Sequence, residues 1–193
     1  MRREEVHIIA RYINTETGQV QIRSQSEAVC TASVSVVLLR GNSVLLHSQQ
    51  HEKLNRRWSL FQRGLYDGQV LHEVVASELS QRLGLDISGD MLRRFESKNA
   101  FIIIAICDDL IEGVRRVELA YGLQIEYLPD IIAHDDTIFR FCTKPSELGA
   151  LINHRGVPEY MRMLQNIAAA HAWGLIGWST ADLLKQIEEA EVV

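Results

Sequence analysis

Residues 58–85 read WSLFQRGLYDGQVLHEVVASELSQRLGL. From residue 72 to residue 83 the apolar Val74, Val75, Leu79 and Leu83 recur at helical spacing, so one stripe is expected to be buried while Ser77, Glu78, Gln81 and Arg82 share another face. Gly84 ends this helix, since glycine accepts the left-handed conformation that closes a helix. Upstream, residues 63–69 contain Gly64, Asp67 and Gly68, a composition suited to a loop that brings backbone close to a ligand and then starts a helix. The predicted order is strand, loop, helix, loop.

On the N-terminal side, residues 31–39 are expected to pair with residues 44–48 across Arg40, Gly41 and Asn42, and residues 5–12 with 19–23 around a turn at 14–18. After the helix, residues 92–97, 100–107, 117–127 and 138–142 all read as strands. Residues 145–153 then read as a short helix and 158–173 as a longer one with Tyr160, Met163, Leu164 and Ile167 on one side. A last helix begins at Ser179 or Thr180 and carries Leu183, Leu184 and Ile187. No repeat, low-complexity tract or Pro-rich linker interrupts the chain, so a mixed α/β sandwich is expected.

Trp58, Gly68, Glu78, Leu79, Gly84 and Leu85, at this spacing, resemble the Nudix box of the MutT-like hydrolases, and the register needs no gaps. In that register the box glutamate after the loop falls on Gln69, the box arginine on Ser77, the first helix glutamate on Glu78, and the Glu-Glu pair on Gln81 and Arg82. One acid of four survives. The Pro-Gly-Gly that usually follows the tryptophan reads Phe61, Gln62 and Arg63 here, which displaces a carbonyl that family members offer to a metal. The resemblance covers roughly residues 30 to 170, since residues 32–39 with 44–47 look like the family's central hairpin and residues 137–148 like its late strand and capping turn. It implies a Nudix-type α/β/α sandwich with a mixed central sheet and an additional C-terminal helical segment, organised as one domain: an N-terminal hairpin over 1–29, a core over 30–155 and C-terminal helices over 156–193. The N-terminal piece is similar to the leading hairpin of the isopentenyl-diphosphate-isomerase-like type, whose catalytic cysteine motif is not visible.

With 193 residues and about half of them apolar, the chain is long enough to bury roughly 70% of its unfolded surface. A formal net charge of −5 argues against a nucleic-acid partner, because phosphate backbones are held by clustered Lys and Arg. The pairs Arg2/Arg3, Arg56/Arg57, Arg93/Arg94 and Arg115/Arg116 read as solvated edges, with Arg56/Arg57 set apart by its place just before the ligand loop. Cys30, Cys107 and Cys142 are widely separated, odd in number and set in apolar runs, so they are expected to be buried thiols in a reduced compartment rather than a disulfide framework. The longest apolar run, residues 100–107, is far short of the roughly 20 residues a membrane helix needs, and the start lacks a secretory segment. A cytoplasmic protein is expected.

Diphosphate hydrolysis needs Mg²⁺ or Mn²⁺ held by several carboxylates and substrate phosphate, and a nearby water made nucleophilic. Here Glu78 is the one candidate catalytic acid, and Gln81 and Arg82 stand three and four residues beyond it on the same side of the helix. The plain alternative for Glu78 and Arg82 is an exposed helical salt bridge worth about 0.3 to 0.5 kcal/mol. The functional one is a metal-free site in which Arg82, Arg63 and Arg57, with Trp58 and Gly64, take an anionic ligand, since a guanidinium grips phosphate oxygens by two parallel hydrogen bonds. His72 and Glu73 lack a second histidine four residues on and read as surface composition.

Should hydrolysis persist, the metal ligands would be Glu78, Glu118, Asp135 and Asp136, with Glu126 and Asp130 as further acids and His134 as general base. Residues 132–137 also read as a plain solvated turn. Three readings follow. The leading one is a non-hydrolytic binder of a small phosphorylated or nucleotide-like ligand, or an accessory protein, needing no cofactor. The second is a Mg²⁺-dependent hydrolase of a nucleoside diphosphate derivative with relocated ligands. The third is a structural or assembly protein that forms a homodimer through its late helices, suggested by residues 171–178, HAWGLIGW.

Overall fold

The computed structural model describes residues 12–14, 16–21, 30–49, 58–111, 114–127, 137–151 and 158–191. Its centre is a seven-stranded mixed sheet. Strand β1 (Cys30–Arg40) turns at Gly41 and Asn42 into β2 (Ser43–Gln49), with Arg40 opposite Ser43. Gly41 has φ 53°, a left-handed conformation that this tight turn requires. The next run divides: Ser59 of β3 (Trp58–Ser59) pairs with His47 of β2, while β4 (Phe61–Leu65) pairs with β1 from Val36 back to Ala32. One edge of β1 is therefore shared by β4 and β2, and the other is taken by β6 (Val114–Gln124), which runs parallel to it. β5 (Phe101–Ile111) pairs antiparallel with β6, and β7 (Thr137–Cys142) with β2.

Alternation along β1 sends Val34, Val36 and Leu38 to one face and Val37 and Leu39 to the other. The first face is covered by α1 (Leu71–Leu83) through Leu71, Val74, Val75, Leu79 and Leu83, and the second by α4 (Pro158–Ala172) through Tyr160, Met163, Leu164 and Ile167. Each fully buried leucine contributes about 1.5 to 3 kcal/mol. Between the main elements lie α2 (Gly89–Ser97) and α3 (Pro145–Leu151), and α5 (Thr180–Glu191) closes the chain. This is an α/β/α sandwich with a C-terminal helix.

Two local expectations change. Residues 92–97, read as a strand, belong to α2: Ser88 Oγ accepts the Met91 N–H at 3.2 Å, and Leu92 and Phe95, three residues apart, form a buried helical pair. The expected loop over 63–69 shortens, because strand pairing with β1 continues through Arg63 and Gly64 to Leu65. Within the segment HAWGLIGW, Trp178 is buried and donates its indole N–H to the Asn42 carbonyl at 2.9 Å, while Trp173, 41% exposed, donates to Ile104 O at 2.9 Å.

Of the leading hairpin, the turn is described: Asn14 Oδ1 accepts the N–H groups of Glu16 and Thr17, and Ile13 bridges to Val20. The remainder of that hairpin lies outside the described residues. Cys142 is buried and Cys107 only partly so; both are free thiols, and Cys107 donates to Asp109 at 2.9 Å. Among the described residues no helix is long and apolar enough to cross a membrane.

Candidate functional site

Helix α1 starts after the extended Val70 and stops at Gly84, whose φ is 65° and whose N–H is bonded to Ser80 O. Its buried stripe runs Leu71, Val74, Val75, Glu78, Leu79. Glu78 stands four residues after Val74 and three after Val75, so helical geometry turns it toward the sheet, while Ser77 is exposed. The sequence grouping of Glu78 with Ser77 on an outer face is thereby corrected: Glu78 is 3% exposed, and the exposed-salt-bridge reading does not apply.

What makes that burial tolerable is two guanidinium groups. On β4, alternation points Phe61, Arg63 and Leu65 to the α1 face, and Arg63 Nη1 donates to Glu78 Oε2 at 3.1 Å and to Gln81 Oε1 at 3.3 Å. Arg82 Nε, one helical turn beyond, donates to Glu78 Oε1 at 3.0 Å. Both carboxylate oxygens are thus occupied. A carboxylate taken out of water unpaired costs several kcal/mol, and charge-assisted bonds to two arginines offset this. The three groups carry a net charge of +1, and the arginines, 47% and 27% exposed, are the parts open to solvent.

Beside them is a residue that the sequence reading missed. His47 of β2 is buried at 6% exposure, its ring 4.6 Å from that of Phe61, with Nε2 3.2 Å from Leu60 O and 3.3 Å from Ser59 Oγ. With the Nε2 proton donated to Leu60 O, Nδ1 is left without a partner among the described residues. Burial is the main force holding the imidazole below its ordinary pKa of 6.5; Arg82 adds to this, against the Leu60 bond and Glu78. The only signal in the sequence was a histidine at an inward position of an alternating strand.

A pH dependence follows from that shift. In the unfolded chain His47 gains its proton near its ordinary pKa, whereas the folded ring stays neutral to lower pH, so stability falls as pH drops through about 6.5 and is fully present above it. Thermal melts of His47→Gln between pH 7 and pH 5 are expected to show a shallower acid-side decline than wild type; parallel curves would contradict the assignment.

The other predicted residues scatter. Trp58 packs, half-buried, against the opposite core, and Gly64 is turned by alternation to that opposite face. Glu118 also faces the α4 side, buried, accepting from Ser35 Oγ at 2.7 Å, Asn166 Nδ2 at 2.8 Å and Arg162 Nη1 at 3.1 Å. The sheet stands between it and Glu78, so these two do not share a metal. Glu126 accepts the Gly41 N–H at 2.6 Å and is spent on the β1–β2 turn. His72 is not surface composition; it is buried and bonded to Glu96 at 2.9 Å, because it lies one residue after Leu71 on the covered side of α1. Arg57, Asp130, His134, Asp135 and Asp136 lie outside the described residues.

A divalent cation of the kind the box resemblance implies needs several free oxygen ligands. Among the described residues the donor set at Glu78 does not fit it: one carboxylate, both oxygens engaged, and two fixed positive charges beside it. Among the described residues no three His, Cys, Asp or Glu side chains are grouped to hold a metal ion.

No protein-family model matches the sequence, and no curated protein matches it. Among solved structures, the NUDIX hydrolase from Nitrosomonas europaea is similar at TM-score 0.50 and 14% identity, over 74% of this chain and 89% of that one. The chain has the Nudix fold. A similar match is the E. coli ORF135 protein, at TM-score 0.50 and 16% identity over 76% of this chain and 94% of that one. A third is the bifunctional NMN adenylyltransferase/ADP ribose pyrophosphatase from Francisella tularensis, complexed with AMP and a manganese ion, at TM-score 0.53 and 15% identity over 76% of this chain and 42% of that one. In this Nudix-fold protein the Arg63–Glu78–Arg82 cluster lies at α1, the helix whose sequence resembles the box.

Proposed function

We propose that this Nudix-fold protein is a non-hydrolytic binder of a small phosphorylated or nucleotide-like ligand, acting as a sensor or accessory protein and needing no metal. The observation that carries the reading is the engagement of both Glu78 oxygens by Arg63 and Arg82. A fixed cationic pair in place of a metal site supplies the charge complementarity that a phosphate needs, without supplying an activated water. The free thiols of Cys107 and Cys142 support a reduced, cytoplasmic setting.

The test is calorimetric titration of Mg²⁺ and Mn²⁺ into the protein, followed by a nucleoside-diphosphate panel with metal and with chelator. Expected are no tight metal binding and ligand binding that persists in chelator. Arg82→Ala should weaken that binding by roughly 10- to 100-fold, the worth of a charge-assisted hydrogen-bond pair. Metal-dependent turnover would overturn the reading in favour of a hydrolase that draws further ligands from residues such as Asp135 and Asp136.

A further inference from the structure

The carboxylate between the two arginines has a task separate from theirs. Arg63 comes from β4 and Arg82 from α1, so the angle between their guanidinium groups is set by the one group both touch, Glu78. A guanidinium carries five N–H donors in a rigid fork. Arg82 uses Nε on Glu78, and Arg63 uses Nη1 on Glu78 and Gln81; among the described residues, both Nη groups of Arg82 and the Nε and Nη2 of Arg63 have no hydrogen-bond partner. Because Glu78 is buried and the arginines are not, it grips them from the protein side.

Resting on the binding reading above, we infer that Glu78 is a positioning residue, which holds Arg63 and Arg82 ready to receive a phosphate oxyanion, and is neither a metal ligand nor an internal anion that the ligand must displace. Two effects oppose each other. The Glu78 charge repels an incoming phosphate, but it lies on the protein side of two guanidinium charges of opposite sign, so the cluster as a whole attracts the anion. A long side chain that must instead be ordered when the ligand arrives weakens binding roughly two- to tenfold, and here there are two such chains. Positioning outweighs repulsion.

The experiment uses the full-length protein with ADP as probe and inorganic phosphate as the minimal one. Glu78→Gln keeps the shape but offers one acceptor oxygen to two guanidinium groups, so it is expected to weaken ADP binding about three- to tenfold although it removes a negative charge. Equal or tighter binding by the variant would overturn the inference while leaving the binding reading intact. Failure of the wild type to bind either probe would instead remove the binding reading, and this inference with it. Arginine-selective NMR of the wild type decides the matter even if the variant does not fold. The Arg82 Nε–H is expected to stay protected from solvent exchange when the probe is added. Loss of that protection on binding would mean that the ligand displaces Glu78, and would refute positioning.

Discussion

Replacing Arg162 with alanine is expected to destabilise the protein by about 3 kcal/mol, the low end of what removing one partner of a buried ion pair costs. On the α4 face Glu118 is 2% exposed; its Oε1 is served by Ser35 and Asn166, but Oε2 has Arg162 as its described partner, and Arg162 also reaches Asp109 at 3.3 Å. The variant leaves half of a buried carboxylate unpaired. Because Arg162 itself is 27% exposed, water reaching the gap softens the loss, which is why the lower figure applies. For a chain of this length the change corresponds to a fall of about 6 to 12 °C in melting temperature. Adding Glu118→Gln should recover part of it by removing the stranded charge, so the two changes will be non-additive. A melting temperature within about 2 °C of wild type would show that the network contributes little.

Rebuilding the box is the second large effect. Wild-type protein is expected to show no appreciable Mg²⁺- or Mn²⁺-dependent hydrolysis of common Nudix substrates, since each lost group that stabilises developing charge is worth several kcal/mol, a factor of roughly a thousand. The change Gln69→Glu, Ser77→Arg, Gln81→Glu and Arg82→Glu restores the family pattern around Glu78 and should raise Mn²⁺ affinity. The fold adds a restriction that the box pattern alone does not contain: Arg63 Nη1 would still hold Glu78 Oε2. A fifth change, Arg63→Gly, restores the glycine of the family's loop and releases that oxygen. Calorimetry should therefore rank Mn²⁺ affinity as wild type, then the quadruple variant, then the quintuple, with weak turnover appearing last. Robust wild-type turnover abolished by Glu78→Gln would sink the non-catalytic reading.

Much of the architecture was legible because it is local. The 3.6-residue recurrence of Val74, Val75, Leu79 and Leu83 and the glycine after them determine α1; alternation through residues 32–39 and the Gly41 turn determine the β1–β2 hairpin; Tyr160, Met163, Leu164 and Ile167 mark the buried side of α4. The misreading of residues 92–97 has an equally local cause: Leu92 and Phe95 fit a short helix once Ser88 is seen to cap it, and the cap lies outside the apolar window.

By itself, then, the sequence determined the helices other than α2, most strands and the resemblance to the Nudix box, since each depends on residue type at short spacing. The tertiary structure alone decided which side chains meet. That Arg63 rather than solvent faces Glu78 depends on β4 pairing with β1 in the register that places Arg63 opposite Val34, beneath α1. Burial of His47 and the separation of Glu118 from Glu78 depend on which sheet face each strand position serves. Such contacts join residues 12 to 83 positions apart. No periodicity encodes them, because strand register is set by packing of the whole sheet between its two helical layers.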